Sequence, residues 1–311
     1  YIPLMPKLAL PHCQPAKYPA GMPSTRFAST IQTDSPEGCS IALLGIPDDL
    51  GVRLNNGRPG AKDGPKAIRE ALSRYGVAEQ FLCDLPRVFD AGDVVPGEGD
   101  DARALAQTHD RVSAAAETLA RAGMLVIGLG GGHDLTYALA RGVWRAHGQK
   151  KMPGVYFDAH LDVRETPGSG MSFRKLLEEG IASAVRIIGF NPLVNQREHA
   201  EWFLARACTI APHGSDPLGG IDTEGGFVSV DIDAIEMSSA PGVSAPNPAG
   251  LSPRDVAGAL EKFGQFYNLR CLDFMELSPP HDEGGRTARL AAHLLLSFLR
   301  GVGMRYPRVQ R

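Results

Sequence analysis

Residues 155–162 read VYFDAHLD, an apolar run that ends with Asp158, His160 and Asp162 on alternate positions. On an extended segment, side chains two apart leave the same face, so two carboxylates and an imidazole converge at one chain end. The pattern returns in GFVSVDID (226–233), which closes on Asp231 and Asp233. A third run, MLVIGLGGGHD (124–134), delivers His133 after three glycines that let the backbone approach closely. An isolated DxH is most often a hydrogen-bonded polar cluster; the three runs in combination argue for chemistry. Four carboxylates brought this close repel unless cations neutralise them. Two divalent ions offset that charge, and a sulfur-free set of Asp and His suits Mn2+. Such an ion pair can share a hydroxide as nucleophile and polarise a substrate, which points to a dimetal hydrolase.

The elements that must position these residues follow the same rhythm. Apolar runs at 40–49, 124–134, 154–162, 184–192, 226–235 and 269–279 each end in polar or glycine-rich residues. Between them lie amphipathic stretches at 64–76, 102–123 and 252–264, the last opened by Ser252 as an N-cap before Pro253. Nearly continuous apolar strands alternating with helices predict a parallel sheet covered on both faces, an α/β three-layer fold. Ligands of such folds sit beyond the carboxyl ends of the strands, where every one of these polar clusters falls. With no linker at mid-chain, the expected organisation is an irregular N-terminal arm over 1–38 and a single catalytic domain over 39–311.

Hydrophobic residues make up 43% of the 311, charged residues 22%, and the formal net charge is −3, which gives no electrostatic reason to expect nucleic acid or an anionic membrane as partner. No apolar stretch approaches the roughly 20 residues that span a bilayer. The five cysteines, Cys13, Cys39, Cys83, Cys208 and Cys271, are scattered and never in CxxC spacing, so reduced thiols and a cytoplasmic location are expected. GLGGG (128–132) has neither phosphate-loop spacing.

Taken together and in order, GGGHD, DAHLD and SVDID resemble the three metal motifs of the arginase (ureohydrolase) family, a likeness that extends over about residues 40–300. The resemblance implies an arginase-like fold around a mainly parallel sheet of about eight strands, and Mn2+-dependent hydrolysis of a guanidine or amidine C–N bond. It implies one ion held by His133, Asp158, Asp162 and Asp231 and a second held by His160, Asp158, Asp231 and Asp233, with Asp158 and Asp231 bridging. Within the family, GGGH with Gly132 before the histidine, GIPDDLGVRLNNGRPG (45–60) and MELSPPHDEGGRTAR (275–289) look most like formimidoylglutamases. Arginases carry a histidine proton shuttle in the loop after DAHxD; here Phe173 stands near that place. Glu276 is in the position that would hold a substrate amidinium, although Ser278 replaces the usual asparagine that follows.

The expected substrate is therefore a small acidic amidine, N-formimino-L-glutamate, with Asp162 as proton carrier and Glu276 as amidinium holder. Its carboxylates call for arginines, which bind them bidentately. Arg164 falls on the side of Asp162 if extension continues, and Arg58 and Arg286 are further candidates. Asn191 and Ser169 are candidates for the pocket lining, which turn chemistry explains equally well. His109, His147, His199, His213 and His293 read as surface or packed groups, with His281 a candidate for the mouth. A homo-oligomer is expected. The alternatives are a relative acting on a guanidino acid, arginine or agmatine, and an arginase-like binding protein without activity.

Overall fold

A computed structural model describes residues 8–78, 84–212, 214 and 225–305, so Cys83 and His213 lie outside the described residues. Its strands are β1 (Cys13–Gln14), β2 (Ile41–Gly45), β3 (Val88–Val94), β4 (Leu125–Leu129), β5 (Met152–Phe157), β6 (Ala182–Ile188), β7 (Thr209–Ile210), β8 (Phe227–Asp231) and β9 (Cys271–Met275). The helices among the described residues are α1 (Leu50–Leu54), α2 (Gly64–Leu72), α3 (Ala102–Arg121), α4 (Leu135–Ala146), α5 (Ser172–Glu178), α6 (Arg197–Leu204), α7 (Pro253–Gly264) and α8 (Arg286–Gly303). The nine strands form one sheet in the order β1-β3-β2-β4-β9-β8-β5-β6-β7. Every neighbouring pair is parallel except β1 with β3.

Alternation along the strands sorts the core onto two faces. Leu43 and Ile127 pack with Leu72, Phe263 and Phe298, under α2, α7 and α8. Their neighbours Leu44 and Val126 pack with Val112, Leu139 and Phe173, under α3, α4 and α5. This is the three-layer arrangement that runs of apolar strand residues demand, since each face needs its own cover. α7 begins as its sequence indicates, with the Ser252 hydroxyl accepting from the Asp255 N–H at 3.2 Å.

Two departures have physical causes. β3 escapes a search for apolar runs because VFDAGDV carries Asp90 and Asp93 into the sheet. The fully buried Arg69 of α2 neutralises them, with Nε 2.7 Å from Asp90 and Nη1 2.5 Å from Asp93. The arm, expected to be irregular, adds β1 to the sheet edge and a 3-10 turn at Phe27–Thr30. It is tied down by Tyr18, whose hydroxyl donates to Asp90 at 2.6 Å, and by Phe27, which enters the core.

The sheet order places β4, β9, β8 and β5 side by side at its centre. Their ends are in register, with Leu129 opposite Phe274, Met275 opposite Asp231, and Val230 opposite Phe157. The polar residues that follow these four strands therefore meet at one edge. No helix among the described residues is long and apolar enough to cross a membrane. Cys13, Cys39, Cys208 and Cys271 are free thiols.

Candidate metal centre

The ligand pairs are delivered by turns and not by a continuing pleat. β5 ends at Phe157, and the Asp158 carboxylate then accepts the His160 backbone N–H at 2.7 Å. β8 ends at Asp231, whose carboxylate accepts the Asp233 N–H at 2.8 Å. The same Asx turn at both strand ends curls the chain so that a residue and its second neighbour face one point. At Asp162 the backbone turns left-handed, with φ of 48°, so the extension expected to carry on to Arg164 stops there. Glu276, beyond β9, has φ of 66°. Non-glycine residues held this way cost about 1–3 kcal/mol each and cluster at functional sites. Both are pinned by backbone bonds, the Phe173 N–H to the Asp162 carbonyl at 3.1 Å and the Glu276 N–H to the Gly131 carbonyl at 2.8 Å. His133 arrives on the glycine turn after β4, where a Cβ on Gly131 would run into the Asp48 carbonyl.

The side chains form two cages that share Asp158, one with His133 and Asp162, the other with His160 and Asp233. His133 Nδ1 lies 3.1 Å from Asp158, 2.9 Å from Asp162 and 3.2 Å from Asp231. His160 Nδ1 lies 3.3 Å from both Asp158 and Asp233. Spacings of about 3 Å are those of adjacent ligands around one six-coordinate ion with bonds of about 2.1 Å. Although three carboxylates crowd His133 Nδ1, none completes a directional hydrogen bond with it, and Asp158 Oδ2 and Asp233 Oδ1 are likewise buried without a partner. Orphaned donor atoms converging in this way fit divalent cations.

The electrostatics agree. Burial opposes charge on both imidazoles, but the carboxylates outweigh it, holding His133 well above its usual range and pushing His160 up to about 12. Burial and Asp158 push Asp162 up to about 6, and burial with Asp233 and Asp158 raises Asp231 well above a normal carboxylate. Protons are thus the stand-in cations of the metal-free cage. Replacing two imidazolium protons by two divalent ions would bring four positive charges to four carboxylates.

Behind the cage runs a buried relay that the motif reading missed. His133 Nε2 is 2.9 Å from Ser229 Oγ, which donates to Asp273 at 2.5 Å. The relay places the imidazole proton on Nε2 and leaves the Nδ1 lone pair for a metal. Ser229 was detectable, because it stands two before Asp231 on the same face of β8. Asp273, hidden inside a central strand, is pushed up to about 6 by burial.

The cage floors a cavity of about 310 Å3. Of the residues expected to bind substrate, Glu276, Arg164, Arg58 and Ser169 line it. The Glu276 side chain accepts the His133 N–H through Oε1 at 2.9 Å, and its buried Oε2 has no partner. Burial, with Asp233 adding to it, pushes this carboxyl up to about 8. Arg164 is held by Asn55 at 2.6 Å, whereas Arg58 is spent on the carbonyls of Ser244 at 2.9 Å and Val243 at 2.7 Å.

Other expectations are corrected. Arg286 does not line this cavity; it opens α8 and pairs with Glu283 at 2.8 Å. Asn191 does not line it either, since its side chain caps a turn by accepting from the Leu193 N–H at 3.0 Å. His281 instead contacts the Pro59 carbonyl at 3.1 Å. His199, read as a surface or packed group, does line the cavity, as do Asn55 and Asn195. Phe173 is fully buried, stacked on Tyr156 at 3.6 Å between centroids, and serves as a wall under His133.

Comparison with known proteins agrees with this geometry. The model of the arginase family matches residues 39–300. A formimidoylglutamase of Aromatoleum aromaticum is 33% identical over 88% of this chain and 86% of its own. The mitochondrial guanidino acid hydrolase of Homo sapiens is 31% identical over 86% of this chain and 80% of its own. The crystal structure of Trypanosoma cruzi formiminoglutamase with Mn2+ superposes with a TM-score of 0.81 at 27% identity, covering 90% of this chain and 99% of that one.

Proposed function

Because the chain belongs to the arginase family, we propose that it is a dimanganese hydrolase that converts N-formimino-L-glutamate and water to L-glutamate and formamide. The observation that carries this reading is the order of charge along one cavity. Its floor is the carboxylate cage, its wall holds the unpaired Glu276 oxygen, and its rim carries Arg58 and Arg164. An amidine dicarboxylate matches that order end to end, cation inward and anions outward.

In this proposal His133, Asp158, Asp162 and Asp231 hold one ion, and His160, Asp158, Asp231 and Asp233 hold the other. When bound, the ions supply an activated water at neutral pH and polarise the amidine. Glu276 Oε2 accepts from the amidinium N–H groups, whose positive charge offsets the burial that keeps this carboxyl protonated in the metal-free chain, and fixes the formimino carbon over the floor. Donation from the His133 N–H to Oε1 keeps that carboxylate oriented. Asp162, at the cavity side of the cage, carries the proton released by water to the departing glutamate nitrogen. Arg164, oriented by Asn55, receives a carboxylate. The walls of Phe173 and Tyr156 keep bulk water from the back of the cage. A homo-oligomer and a cytoplasmic location complete the reading.

A guanidino acid is the competing substrate, because the human guanidino acid hydrolase is nearly as similar as the formimidoylglutamase. Agmatine is disfavoured, since its amine would face two arginines. The test is hydrolysis by Mn2+-loaded protein of N-formimino-L-glutamate, guanidinobutyrate, arginine and agmatine. Preference for the first by a wide margin is expected, whereas preference for agmatine would overturn the substrate assignment.

A further inference from the structure

N-formimino-L-glutamate carries two carboxylates, roughly 5 Å apart in an extended chain with C–C bonds of about 1.5 Å. One guanidinium fork grips one carboxylate bidentately, so a pocket selective for the dianion needs a second cationic reader. Among the described residues, the cationic or imidazole side chains lining the cavity are Arg58, Arg164, His133, His160 and His199. His133 and His160 belong to the floor. Arg58 keeps its charge at the rim, but with its Nε and one Nη committed to backbone carbonyls it has no free fork for a second bidentate grip. That leaves Arg164 and His199.

We infer that His199, acting beside Arg164, reads the second carboxylate and makes this a dicarboxylate-selective pocket. The inference rests on the substrate class proposed above. Its geometric basis is Arg174 of α5, which holds both readers in one frame. Arg174 donates to the Val163 carbonyl at 3.4 Å and to Glu165 at 2.8 Å, the residues flanking Arg164. Its guanidinium also lies 4.6 Å from the ring centroid of Trp202, one turn along α6 from His199. The loop of Arg164 and the first turn of α6 are therefore braced by one side chain. His199 is half-buried, and burial with Arg164 and Arg174 pushes its imidazole below its usual range, against the opposing pull of Glu198 and Glu165. These neighbours favour the neutral form, and an arriving carboxylate draws a proton onto it.

The test compares wild type with His199→Ala and His199→Gln, all Mn2+-loaded. The substrates are N-formimino-L-glutamate and the N-formimino derivatives of 4-aminobutyrate and L-2-aminobutyrate, each of which lacks one carboxylate. His199→Ala should raise KM for the dicarboxylate roughly tenfold or more with kcat little changed, and should leave one of the two monocarboxylates unaffected. Calorimetric binding of L-glutamate should weaken by a similar factor, with His199→Gln intermediate. Unchanged KM and glutamate affinity in His199→Ala, or equal losses on all three substrates, would overturn the inference. If wild type hydrolyses none of them, the proposed function fails, and the glutamate titration still decides the subsite.

Discussion

The floor and the rim of the cavity are built by different rules. Floor ligands come from the ends of β4, β5 and β8, and each pair is set by a local Asx turn between a residue and its second neighbour. The rim is stitched from segments far apart in sequence. Asn55 meets Arg164 across 109 positions, and Arg58 meets Ser244 across 186. Chemistry that must be held tightly sits on rigid strand ends, while selectivity sits on loops braced by side chains.

The comparison is most sharply tested by Glu276, which lines the wall between floor and rim and stands outside both cages. Glu276→Gln keeps an acceptor for the His133 N–H but removes the negative charge aimed at the amidinium. Steady-state kinetics should show kcat lowered by about 10²–10³-fold with full manganese content. Loss of manganese in that variant would reassign Glu276 to the cage.

On the rim, Arg164→Ala should lower kcat/KM by roughly 30- to 1000-fold with manganese content unchanged, the cost of a charge-assisted bidentate contact in a partly buried pocket. Arg164→Lys should recover only part of that, lacking the planar fork. Arg58→Ala should cost less than Arg164→Ala, because its guanidinium is already committed to carbonyls. The reverse order would exchange their roles.

A smaller effect separates the floor from the rest of the fold. In the metal-free chain Asp162 and Asp273 keep protons up to about pH 6 and Glu276 up to about pH 8. Unfolded carboxyls release theirs near pH 4. The folded state then binds more protons than the unfolded state, so stability falls as pH rises from about 4 to 8. His160, protonated up to about 12, adds loss of the same sign above about 6.5. Asp158, held below the usual carboxylate range by His133 and His160 against burial, acts in the opposite sense at lower pH, outside that window. Calorimetry should show Tm of chelator-treated protein falling between pH 5 and pH 8, and Mn2+ raising it more at pH 8 than at pH 5. A flat profile would mean that the cage does not concentrate charge.

What the sequence made legible follows the same division. The six apolar runs mark β2, β4, β5, β6, β8 and β9, and alternate-position carboxylates place the floor residues together, because strand-end geometry is local. β3 was obscured by Asp90 and Asp93, acceptable in a sheet only because Arg69 reaches them from α2. His199, Asn55 and Asn195 were not legible: Arg58 and Asn191 drew attention to their loops, but which side chain of a loop turns into the cavity depends on contacts with segments far away in sequence. Arg286 and Asn191 had the right chemistry beside the right motifs, but local partners, Glu283 and the Leu193 N–H, claim them.

The central claim is that the cages sharing Asp158 are one dinuclear centre, and manganese quantification per chain tests it most directly. Wild type, Asp158→Ala and Asp233→Ala are loaded with Mn2+, dialysed and counted. About two ions are expected in wild type, far fewer when Asp158 is removed, and close to one when Asp233 is removed, because Asp233 serves only the His160 cage. Equal, near-full occupancy in all three proteins would contradict the account.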